Sequence, residues 1–130
     1  MNGYLLDTNI AIALLAGEKD VLDFIRQASD DRMAIYFSVI TECEVFSGIE
    51  SDYLLKGIKL FRSRRCIEVS SRIARLAGDI RRDQRSKGRK LKSPDALIIA
   101  TSIDHQLGLV SRDHDMSFVK DTFELSLYTI

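Results

Sequence analysis

Tyr4-Leu5-Leu6-Asp7-Thr8-Asn9 reads as a short apolar strand that ends on a carboxylate and runs into a helix, which continues to about Leu15 and stops before Gly17. Two later stretches repeat the plan. Ile35-Tyr36-Phe37 leads into Ser38-Val39-Ile40-Thr41-Glu42-Cys43-Glu44, and Leu109-Val110 leads into Ser111-Arg112-Asp113. Strand signals that alternate with helical ones argue for right-handed βαβ units, hence an α/β fold with a mainly parallel central sheet flanked by helices on both faces. Ligands gather at the carboxyl ends of such strands. Asp7, Glu44 and Asp113, with Asp95 at the head of a late helix, are therefore expected along one edge of the sheet.

The segments between these anchors fill in the rest. Val21, Phe24, Ile25 and Ala28 recur at helical spacing and place a helix at about 20–27, and others follow at about 39–46 and 52–61. The last of these offers Leu54, Leu55, Ile58 and Phe61 as its apolar face. Cys66-Ile67-Glu68-Val69 reads as the third strand. Ser70 or Ser71 then caps a helix that turns Ile73, Leu76, Ala77 and Ile80 inward and Arg72, Arg75, Arg82 and Arg85 outward, with Gly88 closing it. Ser93-Pro94-Asp95 is the clearest helix start: a capping Ser, Pro at the first helical position and an acid in the first turn. Ala96, Ile99, Ala100, Ile103 and Leu107 line one face of that helix, while Leu97, Ile98 and Thr101 occupy much of the rest, so it should be largely buried. Leu109-Val110 is read as a short central strand, Ser111 to Asp115 as an acidic loop, and 123–127 as an edge strand.

With 130 residues, one Pro and no repeat or low-complexity tract, the chain has the length and composition of a single domain, 1–130. Cys43 and Cys66 have no metal-ligand or disulfide spacing and are expected to serve as small core hydrophobes in a reducing cytoplasm. No apolar run approaches the roughly 18 residues needed to cross a bilayer. Net charge is zero, yet residues 1–55 carry −7, residues 56–92 carry +11 and residues 93–130 carry −4. Within the cationic block, Arg81, Arg82, Arg85, Lys87, Arg89, Lys90 and Lys92 are dense enough to attract a polyanion by counterion release. The plainer reading is a solvated helix face followed by a loop.

Each acid has an ordinary explanation by itself. Asp7 could cap a helix, Glu44 could close a capping box with Thr41, Asp95 could complement a helix dipole, and Asp113 could make an Asx-turn. Taken singly, these do not explain why converging strand ends and helix starts each carry an acid and never a Lys. Gathered carboxylates repel, and a divalent cation relieves that repulsion. Oxygen donors without nearby Cys or His pairs suit Mg²⁺ or Mn²⁺, one or two ions, better than Zn²⁺. Such ions activate water and neutralise a leaving oxygen in phosphodiester hydrolysis.

The segments Leu6-Asp7-Thr8-Asn9, Ser38-Val39-Ile40-Thr41-Glu42-Cys43-Glu44-Val45, Pro94-Asp95-Ala96-Leu97-Ile98-Ile99-Ala100 and Val110-Ser111-Arg112-Asp113 resemble a PIN-domain ribonuclease of the VapC toxin type. The resemblance covers essentially the whole chain. It implies an acidic catalytic and metal site at Asp7, Glu44, Asp95 and Asp113, with support from Thr8, Asn9 and Ser111. It also implies a homodimeric toxin that cleaves single-stranded or looped RNA, and a small antitoxin whose tail crosses an apolar groove near the acids. The basic residues Arg81, Arg82, Arg85, Arg89, Lys90 and Lys92 are then expected to dock RNA.

The chain departs from the family pattern in three places. Ser111 stands where Thr is common, Met116 stands where a Phe is common, and Glu42 and Asp115 are rivals of Glu44 and Asp113. His114 is a candidate proton shuttle, although a lone loop histidine is more often inert. Competing readings are a catalytically inert PIN-like binding domain and a receiver-like phosphoacceptor module. The latter wants paired acids after the first strand and a Lys after a late one. A haloacid dehalogenase-type phosphatase wants a second Asp where Asn9 stands.

Overall fold

The computed structural model describes residues 2–113, 116, 117, 119 and 123–130. Their order is β1 (Gly3–Leu6), α1 (Thr8–Leu15), α2 (Lys19–Asp30), β2 (Ala34–Ser38), α3 (Val39–Gly48), a 3-10 turn (Ser51–Tyr53), α4 (Leu54–Ser63), β3 (Arg65–Ile67), α5 (Ser71–Ser86), α6 (Ser93–Asp104), β4 (Gly108–Ser111) and β5 (Leu127–Thr129). The strands lie in the order β3-β2-β1-β4-β5, and every pairing is parallel. Chain reversal after α1 and α5 uses Gly17 (φ 72°) and Gly88 (φ 75°), where a side chain would be strained.

Alternation along the strands divides the core in two. Leu5 and Leu109 pack with Ile73, Ile80, Ile98 and Ile99 of α5 and α6. Leu6, Phe37 and Val110 pack on the other face with Ile10, Val21, Val45 and Phe61 of the first four helices. Burying side chains of this size contributes about 1.5–3 kcal/mol each. Helices on both faces thus hold the central strands, and with them the strand ends, in place.

Several details differ from the sequence reading. Lys92, not Ser93, is the N-cap of α6: its backbone is extended, its carbonyl accepts from Ala96 N at 3.0 Å, and Ser93 is already helical. The third strand ends at Ile67, and the edge strand falls at Leu127–Thr129, paired with Leu109–Ser111, while Leu125 enters the core instead. Helix α4 shows the largest difference. It buries Gly57 and Phe61 and leaves Leu54, Leu55 and Ile58 exposed. Gly57 lies so close to Ile49 that a Cβ there would meet Ile49 Cδ1 at 2.8 Å, so this inner side of the helix packs closely while the Leu-rich side faces outward. Cys43 is exposed and Cys66 half-buried, so Cys43 is not a core residue. Met116 is buried among the α5 and α6 side chains. His114 and Asp115 lie outside the described residues. No helix among the described residues is long and apolar enough to cross a membrane.

Candidate functional site

The carboxyl ends of β1, β2 and β4 and the first turn of α6 meet at one edge of the sheet. Asp7, only 4% exposed, directly follows β1 and caps α1. Its Oδ1 accepts from Thr8 N at 2.8 Å and its Oδ2 accepts from Ser111 Oγ at 2.7 Å. Ser111 Oγ in turn accepts from Asp113 N at 2.9 Å and from Asn9 Nδ2 at 3.4 Å, which uses both of its lone pairs. On the other side, Thr8 Oγ1 donates to Glu44 Oε1 at 2.6 Å and lies 3.3 Å from the buried Thr41 hydroxyl. Thr8, Asn9 and Ser111 therefore join α1, α3 and β4 beneath the acids.

Electrostatics places all four acids in one neighbourhood. Burial pushes the Asp7 carboxyl above its ordinary range; the Ser111 and Thr8 hydrogen bonds oppose this, and the Glu44 and Asp113 charges add to it. Asp95 is raised to about 6, first by burial and then by repulsion from Asp7, Asp113 and Glu44, with Lys92 pulling the other way. Glu42 does not share this cluster. It interacts with Cys66, whose thiol is pushed up to about 12 by burial, by a hydrogen bond to Glu42 and by its charge. The two rivals on α3 thus face different neighbours, with Glu44 on the side of Asp7.

A raised carboxyl has a defined effect on stability. Asp95 binds its proton more tightly folded than unfolded, so its contribution is complete below the unfolded value near 3.8 and is lost as pH rises through about 6. Because Asp95 is only half-buried, the loss is expected to be about 1 kcal/mol after solvent screening. In chelator, the melting temperature should fall by roughly 2–6 °C between pH 4.5 and 7.5. Asp95→Asn should flatten that slope; an unchanged slope in the variant would contradict the coupling.

Among the described residues, no three His, Cys, Asp or Glu side chains are grouped tightly enough to enclose an ion as they stand. Mg²⁺ asks for less, since it usually keeps several waters and takes one or two carboxylates directly. The donor set meets that requirement. Asp7 retains acceptor capacity beyond its two hydrogen bonds, and Asp95 carries a charge that its surroundings disfavour.

The six RNA-docking candidates occupy different settings. Arg82 is paired with Asp79 at 2.8 Å, and Arg81 Nε donates to Leu91 O at 3.0 Å. Arg81, Arg85, Gly88, Arg89, Lys90 and Leu91 line a cavity of about 480 Å³. Lys92 acts electrostatically on Asp95. An apolar cavity of about 230 Å³ lies beside Glu44, in the neighbourhood where the resemblance implies an apolar groove, and is lined by Ile12, Leu15, Val45, Ile49 and Tyr53 among others. The ionic tether of Arg112 to Glu18 and Asp20 escaped the sequence reading.

Comparison with known proteins places these features in context. The family model described as PIN domain matches residues 4–121. Comparison with curated protein sequences returns no match. Among solved structures, a toxin–antitoxin complex from Klebsiella pneumoniae is 27% identical with a TM-score of 0.76, covering 98% of this chain and 100% of that one. DNA-bound VapBC from Salmonella typhimurium has a TM-score of 0.82 at 17% identity, covering 99% and 98%. Mycobacterium tuberculosis VapC20, described as a sarcin-ricin loop cleaving toxin, has a TM-score of 0.65 at 18% identity, covering 93% and 96%.

Proposed function

Because this chain belongs to the PIN-domain family, we propose that it is a Mg²⁺- or Mn²⁺-dependent endoribonuclease, the toxin of a toxin–antitoxin pair, which cuts single-stranded or looped RNA in the cytoplasm and so inhibits translation. The observation that carries this reading is the gathering of Asp7, Glu44, Asp95 and Asp113 at one edge of the sheet, where burial first, and then the charges of the other three acids, raise Asp95 to about 6. A cluster like this is costly without a cation. Asp7 and Asp95 are the direct ligands in this reading, and Glu44 and Asp113 bind directly or through water.

An ion held by these acids would polarise the scissile phosphodiester, help activate the attacking water and neutralise charge on the leaving oxygen. The chain supplies the rest. Ser111 and the Thr8 backbone hold Asp7 in one orientation, Thr8 Oγ1 fixes Glu44, and Asn9 braces Ser111. The cationic surface from Arg81 to Lys92 binds RNA phosphates, and it reaches Asp95 directly through the 91–95 segment. Phosphate contacts of this kind set affinity without reading sequence.

The structural similarity to toxin–antitoxin and VapBC complexes supports an antitoxin partner. The apolar cavity beside Glu44 suits a tail with apolar anchors and one Arg or Lys to pair with the acids. The exposed Leu54, Leu55 and Ile58 of α4 suit a homodimer contact. Thermal unfolding of the partner-free chain tests the metal reading: Mn²⁺ or Mg²⁺ should raise the melting temperature by mass action, and Asp7→Asn should abolish the rise. An unaltered melting temperature at millimolar Mn²⁺ would refute it.

A further inference from the structure

Arg112 sits between two residues of the site and points away from it. Its guanidinium contacts Glu18 at 3.2 and 3.3 Å through one nitrogen and Asp20 at 3.0 and 2.9 Å through the other. Glu18 is the N-cap of α2 and Asp20 lies in its first turn, so the fork grips a helix start. The Arg112 backbone N donates to Asn9 Oδ1 at 3.3 Å. The three residues of the segment are thus held one after another: Ser111 on Asp7, Arg112 on α1 and α2, and Asp113 on Ser111.

The charge balance makes this arrangement informative. A guanidinium stays charged throughout the working pH range and forms two-pronged hydrogen bonds with carboxylates. Placed directly before Asp113, it would be an internal competitor for any cation at the acids. Glu18 and Asp20 are about half exposed, and ion pairs this open add little to fold stability. Four hydrogen bonds to one arginine do, however, fix where its segment lies and where its charge goes.

We infer that Arg112 is a positioning residue: its ion pairs with Glu18 and Asp20 set the Ser111–Asp113 segment in place and keep the guanidinium out of the acid cluster. The inference rests on the metal reading above. It makes Glu18 and Asp20, which lie on α2 and hold no place in the site, determinants of cation affinity at Asp7 and Asp95.

Mn²⁺ affinity, measured by calorimetry on the partner-free chain and three variants, tests it, with the metal-free melting temperature recorded for each. Arg112→Gln should weaken Mn²⁺ about ten-fold, the lower end of what losing a supporting partner costs a metal site. The double variant Glu18→Gln with Asp20→Asn should weaken it further, because it loosens the segment and also frees a cation. Adding Arg112→Gln to that double variant should restore affinity to the Arg112→Gln value, an outcome that a purely structural role does not produce. Metal-free melting temperatures should stay within a few degrees of one another. Wild-type affinity in both Arg112→Gln and the double variant would overturn the tether and leave the metal reading standing. Affinities that merely follow falling melting temperatures, without rescue in the triple variant, would also overturn it. A wild-type chain that binds no Mn²⁺ would remove the metal reading and the tether together.

Discussion

Asp7→Asn and Asp95→Asn are each expected to lower RNA cleavage by on the order of 10³-fold, the upper range for removing one preorganised electrostatic group, while leaving the metal-free fold at least as stable as the parent. Loss of a ligand predicts the first effect. Relief of repulsion predicts the second, since Asp95 is raised to about 6 by burial and by three neighbouring acids, all of which disfavour its charge. The gain should be cleaner for Asp95 than for Asp7. The Asp7 carboxylate also accepts two hydrogen bonds, and Asn can accept only one of them without rotation of the Ser111 hydroxyl. Glu44→Gln should follow the same pattern more mildly, and Glu42→Gln should retain activity because Glu42 faces Cys66. Circular dichroism melts in chelator, alongside turnover in Mn²⁺, read both effects in one set of proteins. Near-normal turnover in either aspartate variant would remove those residues from the site.

Replacing Arg85, Arg89 and Lys90 together with Gln should weaken RNA binding and flatten its salt dependence while leaving the cleavage position unchanged. Three lost phosphate contacts at about 0.7 per contact lower the salt slope by roughly two units, which corresponds to about 100-fold in affinity at 0.1 M salt if the two proteins converge near 1 M. These three line the same cavity with Arg81. Arg82 and Lys87 stand in ion pairs with Asp79 and Asp83 at 2.8 and 3.1 Å. Fluorescence anisotropy of a labelled single-stranded RNA in chelator, titrated with salt, measures binding without cleavage. An unchanged slope would make the block a solvated face.

The parallel sheet and the convergence of the four acids were legible because both follow from local pattern. Apolar strands ending on Leu6, Ser38 and Ser111 need only alternation and helix starts to place their ends on one edge. The roll of a helix is a different matter. An apolar stripe at 54, 55 and 58 looks the same whether it meets a core or a partner, and the packing of Gly57 and Phe61 on the inner side has no signature in that spacing. The choice between Glu42 and Glu44 depends on the same roll in α3, and so does the exposure of Cys43. Part of the charge pairing could have been read earlier, since Asp79–Arg82 and Asp83–Lys87 stand at helical spacing. The Arg112 tether joins residues 92 or more apart in sequence and has no local signature.

The most direct measurement is cleavage of a mixed RNA pool by the purified, partner-free chain in Mn²⁺, in Mg²⁺ and in strong chelator, with Asp7→Asn as the control protein. Discrete RNA fragments with either ion, lost both in chelator and in the control, are the predicted result. Binding without cleavage under every condition would make the chain an inert RNA-binding domain, and fragments that persist in chelator or with Asp7→Asn would contradict a metal-dependent site built on these acids.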